Sequence, residues 1–106
     1  MGYELHITRA EDWLDSEENP IAREEWLSFA RERNDLVEAG WIDHGSAGRE
    51  PVFEWVDEKG KKASLFWSES AVTISGAHGE VSLQGLVLLA VQLEGRLFGD
   101  DGEEYD

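Results

Sequence analysis

The chain has no cysteine, two prolines and only nine lysine or arginine residues among its 106 positions. Without cysteine there is no disulfide framework, thiolate nucleophile, thiolate zinc site or iron–sulfur cluster, an absence that suits a reducing cytosol. Long hydrophobic runs are missing too: the longest, Leu86 to Val91, falls far short of the roughly 20 residues that cross a bilayer. The opening Met1-Gly2-Tyr3-Glu4-Leu5-His6 lacks the basic and apolar regions of a secretory leader, and no Arg-rich transit segment follows, so a cytoplasmic location is expected. Against the nine bases stand 24 acids, a formal net charge of −15. Phosphate binding draws its affinity from Lys and Arg displacing counterions, so neither nucleic acid nor an anionic membrane is an expected partner. A basic protein is the better electrostatic match. Solubility alone is the plainer use of such a surface.

What is present suits one acidic α+β domain over 1–106, long enough to close an ordinary core. Tyr3, Leu5 and Ile7 alternate with Glu4, His6 and Thr8, the period of a half-buried strand. Asn19 as N-cap and Pro20 at the first helical position predict a helix, with Glu24 and Glu25 near its start and Arg31 and Arg33 near its end, as the helix dipole favours. Ala22, Trp26, Phe29, Ala30 and Arg33 share one stripe of it. A weak pattern from Leu36 to Ile42 allows a strand across Leu36 to Gly40 before a Gly/Ser loop through His44 to Gly48. Pro51 to Trp67 reads as a hairpin turning at Asp57-Glu58-Lys59-Gly60, and Ala71 to Ser75 adds a third meander strand. Ser82 caps a second, mostly buried helix running to about Glu94, with Gly85 suggesting a close approach and Gly95 the left-handed stop. Leu97 and Phe98 begin a last strand. The acidic end, Asp100 to Asp106, forms either a turn with a short strand or a fraying tail.

The segment Tyr3-Glu4-Leu5-His6-Ile7-Thr8-Arg9-Ala10-Glu11-Asp12-Trp13, the Pro-Ile helix with Glu25-Trp26, and the ending Gly99-Asp100-Asp101-Gly102-Glu103 resemble a group of small uncharacterised bacterial proteins. That resemblance implies an architecture and supplies no catalytic residue.

His6, Arg9 and Trp13 are the densest functional-looking group, because an imidazole, a guanidinium and an indole at a strand's exit can hold a carboxylate or planar ligand. The competing reading has Arg9 paired with a nearby carboxylate to organise a loop and Trp13 packed as a lid on the core. His6, His44 and His78 have no metal-ligand spacing, and no metal or cofactor is expected. Asp100, Asp101, Glu103 and Glu104 offer hard oxygen ligands around Gly102, but they lack the twelve-residue calcium-loop spacing and read as an Asp-Gly turn. No nucleophile elbow, phosphate loop or dinucleotide fingerprint occurs. Trp55 and Trp67, on adjacent strands, are expected to share a sheet face and to form an exposed aromatic patch if the helices cover the other side.

The fold expectation is a mainly antiparallel sheet with two helices packed on one face, in the order β-α-(β)-β-β-β-α-β. The functional expectation is a non-enzymatic protein-binding module that engages a basic protein, of immunity or antitoxin type. Its alternative is a small enzyme or ligand-binding domain built on a His6/Arg9/Trp13 pocket, and a homodimer hiding the open sheet face is a third reading.

Overall fold

The computed structural model describes residues 4–11, 13–43, 48–57, 59–68, 70–75 and 83–105, with the backbone alone at 13 and 14. They form an α+β fold with seven strands, β1 (Leu5–Thr8), β2 (Leu36–Asp43), β3 (Arg49–Val56), β4 (Lys62–Ser68), β5 (Ala71–Ser75), β6 (Arg96–Gly99) and β7 (Glu104–Tyr105). Two helices, α1 (Arg23–Glu32) and α2 (Leu83–Gln92), and a 3₁₀ segment, Trp13–Glu18, complete it. The strands make one sheet in the order β2-β3-β4-β5-β1-β6-β7, every neighbouring pair antiparallel. The uncertain strand at Leu36 is real and longer than expected, and the acidic end forms a turn with a short strand.

Both helices lie on the same sheet face. Trp26, Leu27 and Ala30 of α1 and Leu86, Leu89 and Ala90 of α2 join Leu5, Ile7, Phe53, Leu65, Val72, Ile74 and Leu97 in one core. Residues directly opposite each other in a ladder share a face, so Leu5 with Ile74 and Leu65 with Phe53 trace the helix-covered side across the sheet. Trp26 is fully buried there, its ring edge-on to Phe53 at 5.7 Å and tilted against Phe29 at 6.0 Å.

Three local expectations need correction. First, α1 begins at Arg23 and Asn19 is not its cap; the N-cap is Ala22, which makes no side-chain capping bond. The cause is long-range. Ile21 is fully buried, its N–H donates to the Ser70 carbonyl at 2.9 Å, and its carbonyl accepts from the Trp67 indole at 2.7 Å. That clasp holds residue 21 outside the helix, while Asn19 donates through Nδ2 to the Arg9 carbonyl.

Second, β1 is buried on both faces. It is an inner strand, between β5 and β6, and the 3₁₀ segment packs against it, with Ser16 bonded to Thr8, so His6 and Thr8 on its polar side are as enclosed as Leu5 and Ile7. The polar groups survive because each has a partner: the Thr8 and Ser16 hydroxyls lie 2.7 Å apart, and His6 meets Asp100.

Third, Gly95 is not the left-handed residue that ends α2. Glu94 takes that conformation, with φ 60°, and the end is a Schellman motif in which Gly95 N–H reaches the Ala90 carbonyl at 2.8 Å and Glu94 N–H the Val91 carbonyl at 2.9 Å. Gly95 is needed for space, since a Cβ there would sit 2.8 Å from the Thr8 carbonyl oxygen and 3.3 Å from Ile7 Cγ2. Neighbouring substitutions are therefore expected to act with opposite signs. Gly95→Ala should lower stability by about 1–3 kcal/mol, because backbone must shift to admit the methyl. Glu94→Gly should raise it by up to about 1 kcal/mol by relieving the left-handed backbone. Urea midpoints of the two variants moving in the same direction would contradict this division of roles.

Candidate functional site

The residues singled out from the sequence divide among separate networks. His6 is opposite Thr73 and Phe98, on the sheet face away from the helices, and is 6% exposed. Its Nε2 lies 2.8 Å from Asp100 Oδ1; a carboxylate only accepts, so this nitrogen carries the donating hydrogen. Asp100 Oδ2 also accepts the Glu4 backbone N–H at 2.9 Å. The Glu4 amide first, and His6 second, hold the Asp100 carboxyl below its ordinary range. The acidic turn thus uses one of its carboxylates to lock β1 to the end of β6.

Arg9 points to the helix side. It forms a two-pronged pair with Glu25 of α1, its Nε donates to the Leu93 carbonyl at 2.9 Å, and Nη1 reaches the Pro20 carbonyl at 3.4 Å. One guanidinium therefore ties the exit of β1 to α1 and to the end of α2, the loop-organising role. His6 and Arg9 do not converge. Trp13 lies in the 3₁₀ segment, with its side chain outside the described residues, as are His44, His78 and Ser82.

Trp55 and Trp67 do share a face, but it is the covered one, which overturns the expected aromatic patch. Trp55 lies opposite Leu36 and Ala63, is 6% exposed, and donates to Asp35 Oδ2 at 3.3 Å. Trp67 packs against the core beside Ile21. Alternation placed the two together correctly and carried no information about which side the helices would take. Asp35 is in turn gripped by Arg33, at 2.7 Å through Nε and 2.9 Å through Nη2, and Arg33 sits 5.3 Å over the Phe29 ring while contacting Gln92.

Arg33 holds the Asp35 carboxyl low and Arg9 does the same to Glu25. With Asp100 these make three carboxylates whose folded pKa lies below the unfolded value of about 4. The stability each contributes is present above that value and is lost as pH falls through the folded one. Urea melts between pH 5 and 2 should show stability declining below about pH 4, with a shallower decline in Asp100→Asn. An identical acid limb in the variant would remove Asp100 from the account.

The surface that remains available was not legible in the sequence. Large apolar side chains are exposed at Val37 (58%) and Trp41 (59%) on β2 and at Leu88 (57%) and Val91 (61%) on α2. The second helix, expected to be mostly buried, is covered on one side only. A groove of about 570 Å³ runs between it and β7, lined by Leu83, Gln84, Val87, Leu88, Glu104 and Tyr105. The signal that could have found it is the lack of any charged residue from Leu83 to Leu93 in a chain that is 31% charged.

Charge is also uneven. Residues 23–62, which include α1, β2 and β3, carry 10 acids and 7 bases, whereas the rest of the chain carries 14 acids and 2 bases. Those two bases are Arg9, paired with Glu25, and Arg96, 3.9 Å from Glu104. Ten of those 14 acids are among the described residues, and they lie on or beside β1, the 3₁₀ segment that packs on it, the end of α2, β6 and β7, so their negative charge builds up toward that end of the sheet. Glu11, Asp15, Glu17 and Glu18, around the 3₁₀ segment, are all exposed.

Among the described residues no group of three His, Asp or Glu side chains is arranged to hold a metal ion, and no helix is long and apolar enough to cross a membrane. Comparison with known proteins returns no matching family model, no matching curated protein and no matching solved structure, so a functional reading rests on the chain's own residues.

Proposed function

We propose that the chain is a cytoplasmic, non-enzymatic protein-binding module whose acidic side engages a basic protein, in the manner of an immunity protein or antitoxin. The observation that carries this reading is the uneven charge: 14 acids against 2 bases outside residues 23–62, with both bases already paired. A surface uniformly charged for solubility would have no such polarity, whereas a concentrated field steers an oppositely charged partner. A second support is the engagement of His6 and Arg9 in separate intramolecular networks, which leaves them structural work to do.

The test is a pull-down from native cell extract with the tagged protein at low and at high salt. A basic protein retained at low salt and released at high salt is the expected result, because the attraction is screened within about 8 Å at physiological ionic strength. The triple change Asp15→Asn, Glu17→Gln and Glu18→Gln, confined to exposed side chains, should weaken retention without lowering the melting temperature. Retention of no basic protein, or retention indifferent to salt, would overturn the reading.

A further inference from the structure

We infer that the groove between α2 and β7 receives an amphipathic basic segment of the partner, an inference that rests on the acidic-docking reading. The apolar part of the occupant is dictated by the floor. Leu83, Val87 and Leu88 recur at helical spacing along the groove, Tyr105 forms its opposite wall, and Val91 continues the exposed apolar stripe. That pattern suits aliphatic anchors repeating at i, i+3, i+4 and i+7 on a helix laid in the groove. Strand addition is the poorer mode here, because β7 has only two residues.

The basic part is dictated by the ends. Glu94 is exposed where α2 stops. β6 packs against α2, and its partner β7 meets the first turns of α2 at Leu83, Gln84 and Val87, so the β6–β7 turn, with exposed Asp101 and Glu103, lies toward the end where α2 begins; Glu104, which also lines the groove, is 3.9 Å from Arg96. An uncharged stripe is therefore bounded by acids at both ends. A second copy of this chain fits badly, since pairing α2 with its twin in either orientation sets acid against acid. A small molecule is the poorer occupant: the polar groups of the lining are Gln84, Glu104 and the Tyr105 hydroxyl, and the exposed apolar stripe continues beyond the groove to Val91, further than a compact ligand covers. An aliphatic stripe flanked by lysines or arginines matches both features.

The probes are a fluorescent 14-residue Leu/Lys peptide with helical spacing and a Ser/Lys peptide of equal charge, titrated by anisotropy at physiological salt. The Leu/Lys peptide should bind at least about tenfold more tightly, and Leu88→Glu, at an exposed position, should abolish that advantage while leaving the melting temperature unchanged. Amide shifts on binding should concentrate in 83–92 and 104–105. Equal affinity of the two peptides, or a Leu/Lys affinity untouched by Leu88→Glu, overturns the groove assignment while salt-sensitive binding of both leaves acidic docking standing. Binding of neither peptide overturns both readings. Sedimentation showing a dimer of the protein alone that Leu88→Glu dissociates would make a second copy the occupant and overturn the assignment.

Discussion

Trp26→Ala is expected to remove about 3–5 kcal/mol of stability, the range for truncating a large aromatic in a core. Trp26 is fully buried, packed edge-on against Phe53 and tilted against Phe29, and it joins α1 to β3, the second strand of the sheet. Against a typical total of about 5–15 kcal/mol, the loss is a large share of the whole. With a urea slope of roughly 1–3 kcal/mol per molar, the midpoint should fall by at least about 1 M. Trp26→Phe is the informative control. The Trp26 indole N–H has no hydrogen-bond partner among the described residues, so replacing it by phenyl discards a buried unsatisfied donor together with some volume. The phenylalanine variant should therefore keep most of the stability that alanine loses; equal losses would mean that the indole N–H matters more than the ring packing.

Leu89→Ala should cost about 2–5 kcal/mol, whereas Leu88→Ala, one residue earlier, should stay within about 0.5 kcal/mol of the parent. The contrast follows from exposure, 2% at Leu89 against 57% at Leu88, because only the first leaves a cavity when truncated. Chemical denaturation of the pair also tests the groove's premise. Similar losses at the two positions would mean that α2 is covered on both sides and that the proposed docking surface is closed.

The elements that could be read from the sequence were those whose signals are local. Asp57 accepts the backbone N–H groups of Lys59 and Lys61 at 2.9 and 2.8 Å, and Gly60 turns with φ 82°, so the β3–β4 hairpin is encoded within a few residues of its own turn. The start of α1 lies later than its capping pattern predicts because Ile21 is held by Ser70 and Trp67, partners far along the chain that no such pattern reveals. The site was less legible than the fold for a related reason. Period-2 alternation groups Trp55 with Trp67, but the face they occupy is decided by where the helices pack, and Leu88 looks as buried as Leu89 until only one side of α2 is seen to be covered. The sequence allows Arg9 either role, and its four hydrogen bonds to Glu25, Leu93 and Pro20 select the loop-organising one.

The place of β1 between β5 and β6 also governs the order of events in folding. β2 to β5 form a meander of sequential neighbours, joined by connections that are short in sequence, and can assemble early from local contacts. The first strand cannot join them on equal terms: Leu5 pairs with Ile74 on one side and Gly99 on the other, so its second edge stays open until β6 has been made. Long loops must close before those pairings return any free energy, which places refolding in the millisecond-to-second range typical of non-local β topologies. Stopped-flow dilution from urea should show it, and a refolding reaction completed in microseconds would contradict it. During synthesis β1, made before the six strands it joins, is thus among the last of them to be secured, and its link to Asp100 can form only after β6 has emerged.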